Sequence, residues 1–319
     1  MLDSKRLRIL SEVARQGSFS AAADSLGYTQ PAISRQIATL EAETGSTLMR
    51  RVPQGVVLTE AGRLLVARAN TILAQLEDVE YELQALRGLS AGRVRMASIS
   101  SAASSVVPLA VLKYRALHPG VELSMTMSEP IDALPKLRSG ELDLALVHDS
   151  LSDDDGAQGI EWMHLFEDPM YIALPVAHPL VDAEPLSLAA FDQEQWMIGM
   201  PATCPDARLF QRACLDAGFR PRVALEHDDY TAVLGFVAGG MGVALVPEMV
   251  TRVVRADVVI RELTPALPAR PIGVALASGD RSSAVSAMLE TLEEVAEEWV
   301  AGRIEPADLQ RPELAPLRA

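Results

Sequence analysis

The chain has 319 residues, room for two or three compact domains, because a single hydrophobic core stops growing well below that length. Its 49% hydrophobic and 22% charged residues exclude a disordered or fibrous protein and describe an ordinary soluble one. A net charge of −15 argues, taken whole, against a nucleic-acid binder, but residues 1–95 carry 12 Lys and Arg against 10 Asp and Glu while the rest carry 16 against 33, so the acidic load lies outside the first 95 residues.

The opening Met1-Leu2-Asp3-Ser4-Lys5-Arg6 runs into an amphipathic pattern with no apolar stretch, which argues against a secretory signal. Leu7, Leu10, Val13 and Ala14 recur at helical spacing, and Gly17 followed by Ser18 ends that helix and caps the next, over FSAAADSL. Gly27 stops the second helix, and Thr29 is placed to cap a third, QPAISRQIATLEAETG, in which Pro31 is tolerated because it lies in the first turn. Helix, tight turn and helix give the spacing of a helix-turn-helix. Ile33, Ile37 and Leu40 form the buried stripe of the third helix, leaving Gln30, Pro31, Ser34, Arg35 and Ala38 outward with the polar members near its N-terminus. A recognition helix needs this arrangement, because its first turns reach base edges in the major groove.

Leu48 to Leu58 reads as strand, turn and strand, with Arg50 and Arg51 at its entry and Gly55 at its tip, a basic wing able to grip the DNA backbone. From Thr59 to about Leu86 the chain reads as one helix about 40 Å long. Its apolar positions Leu65, Ala69, Ile72, Leu76, Val79, Leu83 and Leu86 alternate in steps of four and three, a coiled-coil seam that a second copy would complete.

After Gly92 strands and helices alternate: VRMASI, a helix near residues 104–117, VELSMTM, a helix near 131–139 and LDLALV, which together describe α/β with a largely parallel sheet. A second α/β set runs from about Glu167 to Leu267, and Ile272–Ala277 and 284–300 supply a last strand and helix. Within that second set, Thr231 to Pro247 reads as a buried helix, a glycine turn and a buried strand, too short to span a membrane. Ligands in such sheets sit at the carboxyl ends of strands. Ser98, Ser100 and Ser101 follow the first strand at a helix N-terminus, Ser128 follows the second and His148 the third, while Thr203 precedes the helix that Pro205 opens. Hydroxyls and amides converging there favour an anion. Two cysteines give no disulfide framework and fit a reducing cytoplasm, and no cofactor or metal motif is present. The enzyme reading finds no phosphate loop, no nucleophile elbow and only scattered histidines.

The run SFSAAADSLGYTQPAISRQIATLEAETGSTLMRRVPQGVVLTEAG resembles the DNA-binding signature of LysR-type transcription regulators, and GRVRMASI, LPKLRSGELDLALV and VAGGMGVALVP resemble strands and turns of that family's sensor domain. Leu48-Met49 departs from the Leu-Phe common there. The resemblance implies α/β architecture with a helical winged helix-turn-helix at residues 1–58, a dimerising helix at 59–90 and a two-lobed sensor at 91–302, similar to periplasmic binding proteins. Lobe I would take about 91–166 and 268–302, lobe II about 167–267, leaving a disordered tail at 303–319. Ser18, Thr29, Gln30, Pro31, Ser34, Arg35, Arg50 and Arg51 are then the candidate contacts to dyad-symmetric double-stranded DNA. Ser100, Ser101, Ser128, His148 and Thr203 are the candidates for a small-molecule effector, three of which (Ser101, Ser128 and Thr203) match positions that contact effectors in the family. A homotetramer is implied, with pairing through residues 59–88. The alternative is a thiol-redox regulator, because Cys204 and Cys214 lie where peroxide-sensing members carry their reactive pair. Ten residues along one helix place these two about 15 Å apart, so the helix would have to unravel before a disulfide formed.

Overall fold

The computed structural model describes residues 2–53, 55–86, 92–148, 159–199, 205–252, 255–279 and 281–302. Helix α1 (Ser4–Gln16) opens on Asp3, whose carboxylate accepts from the Lys5 amide at 2.9 Å, and closes on Gly17. Helix α2 (Phe19–Leu26) opens on Ser18, which accepts from the Ala21 amide at 3.4 Å; the small buried Ala22 and Ala23 let the next helix approach. Helix α3 (Gln30–Thr44) buries Ile33, Ile37 and Leu40 against Ile9, Leu10 and Val13 of α1.

Thr29 departs from the expected cap. It sits at the N-cap position with extended backbone, but its side chain makes no cap hydrogen bond. The reason is local: Pro31 has no amide to give, and the Ala32 amide already donates to the Thr29 carbonyl at 2.9 Å.

Strands β1 (Met49–Val52) and β2 (Gly55–Leu58) pair antiparallel as the wing, with Met49 opposite Leu58. Leu48 and Met49 are buried beneath it. The Glu41 carboxylate of α3 accepts from the amides of both, at 2.7 and 3.3 Å, and the Val56 amide donates to the Gly17 carbonyl at 2.9 Å. The wing is thereby fixed to both ends of the helix-turn-helix.

Helix α4 (Glu60–Leu86) starts on Thr59, whose hydroxyl accepts from the Gly62 amide at 3.0 Å. A Cβ at position 62 would lie 2.0 Å from the Leu48 carbonyl oxygen, so only glycine lets α4 pass this close to the wing. The expected seam divides in two. Leu65 packs inward on the core of the first domain, because the first turns of α4 lie against α1, and Ala69 is buried, whereas Ile72, Leu76, Val79 and Leu83 stand exposed.

Lobe I contains β3 (Gly92–Ser98), α5 (Ser100–Ala103), α6 (Val106–Leu117), β4 (Val121–Met127), α7 (Pro130–Arg138), β5 (Leu144–His148) and β6 (Ile160–Asp168). The segment after β3 is two helices, because the backbone breaks at Ser105 (φ −131°, ψ −88°). Lobe II contains β7 (Met170–Pro175), a 3-10 turn at Leu188–Phe191, β8 (Gln195–Ile198), α8 (Pro205–Asp216), β9 (Arg222–Glu226), α9 (Tyr230–Ala238), β10 (Val243–Pro247), α10 (Glu248–Thr251) and β11 (Val258–Arg261). The chain then returns to lobe I as β12 (Arg270–Ala277) and α11 (Ser283–Val300).

The sheets have the orders β4-β3-β5-β12-β6 and β11-β7-β10-β8-β9. Both are mixed rather than largely parallel. Strand β3 runs parallel to β4 and β5, and β8 parallel to β9 and β10, but β12 is antiparallel to β5 and β6, and β7 to β10 and β11. The antiparallel members are those next to the crossings, where the chain enters a sheet from the other lobe. Each lobe has its own core: Tyr114, Met288 and Leu292 lie in the first, and Phe191, Trp196 and Phe210 in the second.

Candidate DNA interface and effector cleft

On α3, Pro31, Arg35 and Ala38 are exposed and Gln30 and Ser34 half-buried, so the outward face expected from the periodicity is present. Arg50 and Arg51 follow one another on β1 and therefore point to opposite sides of the wing. Arg51 is the one turned toward α3: its Nη2 donates to Ser34 Oγ at 3.4 Å, and its guanidinium lies 5.1 Å from the centre of the Phe19 ring. The start of α3 and one wing arginine thus form a continuous polar surface, with Arg50 displaced beside it. Ser18 spends its oxygen on capping α2 and lies at the turn that anchors the wing.

Between the lobes lies a cavity of about 350 Å³. Lobe I lines it with Ser100, Ala103 and Ser104 from the turn after β3 and with Met127 at the end of β4; lobe II contributes Asp229, Tyr230, Thr231 and Leu234 from α9, Met249 and Val250 from α10, and Arg255. Asp229 caps α9 by accepting from the Thr231 amide at 2.8 Å, and Arg255 is held by the Asp257 carboxylate at 2.9 Å.

The sequence-named residues divide here. Ser100 lines the cavity. Ser101, one residue on, is 2% exposed and its Oγ accepts from Arg270 Nη2 at 2.6 Å, so it faces the hinge. Ser128 is half-buried where β4 meets α7, its amide donating to the Ser98 carbonyl at 3.0 Å. His148 is buried at the end of β5, with Nε2 3.7 Å from a carboxylate oxygen of Glu129, the N-cap residue of α7. Thr203 and Cys204 lie outside the described residues. Cys214 is 0% exposed in the core of lobe II, and burial pushes its thiol up to about 12.

Sequence reasoning missed Tyr230, Met249 and the pair Asp168 and Arg270. A signal for the pair existed: each charged residue directly precedes a proline, in Asp168-Pro169 and Arg270-Pro271, at the edge of an apolar strand. Nothing in the local pattern tells that the two strands are neighbours.

A winged helix-turn-helix, a helix with an unpartnered apolar stripe and a hinged pair of α/β lobes define a ligand-responsive DNA-binding regulator. Residues 4–63 match the profile of the bacterial regulatory helix-turn-helix protein, lysR family, and residues 87–297 match the LysR substrate binding domain. The chain is 31% identical over 295 residues to the probable HTH-type transcriptional regulator LrrA of Synechococcus elongatus, covering 92% of this chain and 97% of that one. It is 30% identical over 294 residues to the HTH-type transcriptional regulator BudR of Raoultella terrigena, covering 91% and 99%. Among solved structures, the LysR family regulator CbnR in complex with its target DNA superposes with a TM-score of 0.68 at 22% identity, over 92% of this chain and 100% of that chain. A full-length OxyR variant from Pseudomonas aeruginosa gives a TM-score of 0.72 at 20% identity, over 92% and 98%. The protein belongs to the LysR family of transcription regulators.

Proposed function

We propose that this regulator acts in the cytoplasm as a dimer, or a dimer of dimers, on dyad-symmetric operator DNA, and that a small organic anion in the interlobe cavity controls it. The observation that carries this reading is the cavity itself, walled by both lobes, so that any ligand touching both walls has different contacts when the lobes move. The hydroxyls of Ser100 and Thr231 offer donors, and Met127, Leu234, Met249 and Val250 offer an apolar bed for the rest of the molecule. The Asp229 carboxylate caps α9, at the lobe II wall of the cavity, and repels an anion there. The anionic end is therefore assigned to the Ser100 side, away from α9.

Pairing through α4 is supported by its exposed row of Ile72, Leu76, Val79 and Leu83. A second contact between sensor halves is supported by apolar residues at the open edges of both lobes, Met125 on β4 and Val223 on β9.

The test is a thermal-shift screen of small carboxylates, alkylamines and neutral sugars against the full chain and its Ser100→Ala and Thr231→Ala variants. Stabilisation by carboxylates alone, lost in the variants, is the expected result. Stabilisation by amines or sugars alone contradicts the anion, and stabilisation untouched by both variants puts the site elsewhere.

A further inference from the structure

The two strands that cross between the lobes meet at a single buried ion pair. Asp168 ends β6 and Arg270 begins β12, directly opposite each other in register, with their charged groups 2.8 Å apart and their side chains 0% and 4% exposed. The pair is bonded on both sides of the cleft. Arg270 Nη2 donates to Ser101 Oγ on α5 at 2.6 Å, and Asp168 Oδ1 accepts from the Met249 amide of α10 at 3.1 Å. Both short helices line the cavity: Ser100 and Ala103 from α5, Met249 and Val250 from α10.

Helix α10 follows β10 directly and packs Val250 in the core of lobe II, yet it is fastened to lobe I as well. The Met249 side chain is 2% exposed and packs in the core of lobe I. The Glu248 amide donates to the Pro169 carbonyl at the crossing, 2.8 Å away, and Arg252 stacks 4.0 Å from the centre of the Trp299 ring of α11. Removing two charges from water is costly, and apolar residues of similar volume usually pack as stably as a buried ion pair. Fold stability alone therefore does not account for charges where both crossings meet two helices that line the cavity.

We propose that the Asp168–Arg270 pair is a latch that holds α10 on lobe I and so sets the width of the cleft, with Ser101 and the Met249 amide as its two ends. Its regulatory meaning rests on the reading of the cleft as the effector site: a ligand that separates α5 from α10 has to break or re-aim one of these bonds, giving two discrete lobe arrangements.

The latch is tested without ligand, by oxidising the full chain with dilute hydrogen peroxide and reading methionine sulfoxide by mass spectrometry. Asp168→Leu and Arg270→Met together remove both charges and leave neither unpaired. In that variant Met249 is expected to oxidise about fivefold faster or more, while Met96 and Met288, both 0% exposed in the core of lobe I, stay within about twofold of the parent. An unchanged Met249, or an equal rise at all three, overturns the latch. Ser101→Ala keeps both charges and serves if the double variant does not fold: a rise of about two- to threefold confined to Met249 supports the latch, and none overturns it. Since no effector is present, a failed carboxylate screen bears on the effector and not on this result.

Discussion

Glu77 of the linker helix lies 2.6 Å from Arg93 on the first strand of the sensor half, and Arg8 of α1 approaches the same carboxylate at 3.6 Å. One carboxylate thus sits where the DNA-binding domain, the linker and the sensor meet. Its side chain is 32% exposed, so solvent screens the pair. Glu77→Gln is expected to cost no more than about 1 kcal/mol in urea denaturation. A loss above about 3 kcal/mol would mean that the junction behaves as a buried pair.

The same helix meets lobe I at the turn after α7. Thr71 Oγ1 donates to the Arg138 carbonyl at 3.2 Å, and Asn70 Nδ2 to Glu141 at 3.2 Å. Gly140 sits between them at φ 71°, and a Cβ there would lie 3.1 Å from the Ala74 Cβ. Gly140→Ala should destabilise by about 1–3 kcal/mol, from left-handed strain and from pressure on α4. Denaturation measures the cost, and tryptic cleavage within α4 should accelerate in parallel if the turn holds the helix.

On the DNA side, Arg35→Ala is expected to cost about 1–3 kcal/mol and to relax sequence preference, as the loss of a base contact would. A uniform loss across all sequences would reassign Arg35 to phosphate. Arg50→Ala should lower the slope of log affinity against log salt by about 1 and leave sequence preference intact. Arg51→Ala should do both, because Arg51 also orients Ser34. Selection from a random-sequence duplex library, repeated at several salt concentrations, separates these outcomes.

Ile72→Asp with Leu76→Asp should halve the mass measured by light scattering at micromolar concentration. Both residues are exposed within one chain, so the thermal transition of the sensor half should hardly move. A mass unchanged by the double change would exclude α4 as the pairing surface.

Cys214 should resist iodoacetamide at pH 8 in the native protein, because a thiol at about 12 is ionised to only about one part in ten thousand there and is covered besides. The sign is plain: raising the pH toward 12 increases the thiolate, and acidification has no effect. Rapid native labelling at pH 8, located by peptide mapping, would restore Cys214 as a reactive group.

The sequence by itself determined whatever depends on near neighbours in the chain. The stripe Ile33, Ile37 and Leu40 set the outward face of α3, Arg50 and Arg51 marked the wing, and the ends of β3, β4 and β5 placed Ser100, Ser128 and His148 near one edge of a sheet. Helical and strand periodicity act over a few residues, so they are readable without tertiary information. The tertiary structure decided what depends on contacts distant in sequence. Only the packing of α4 on α1 drew Leu65 out of the apolar seam, and only the entry of the crossing strands made both sheets mixed. Ser101 and Ser100 are equivalent in the sequence, yet one is buried against Arg270, 169 residues away, and the other opens on the cavity. That choice is made by a buried charge that must be satisfied wherever the fold has brought it.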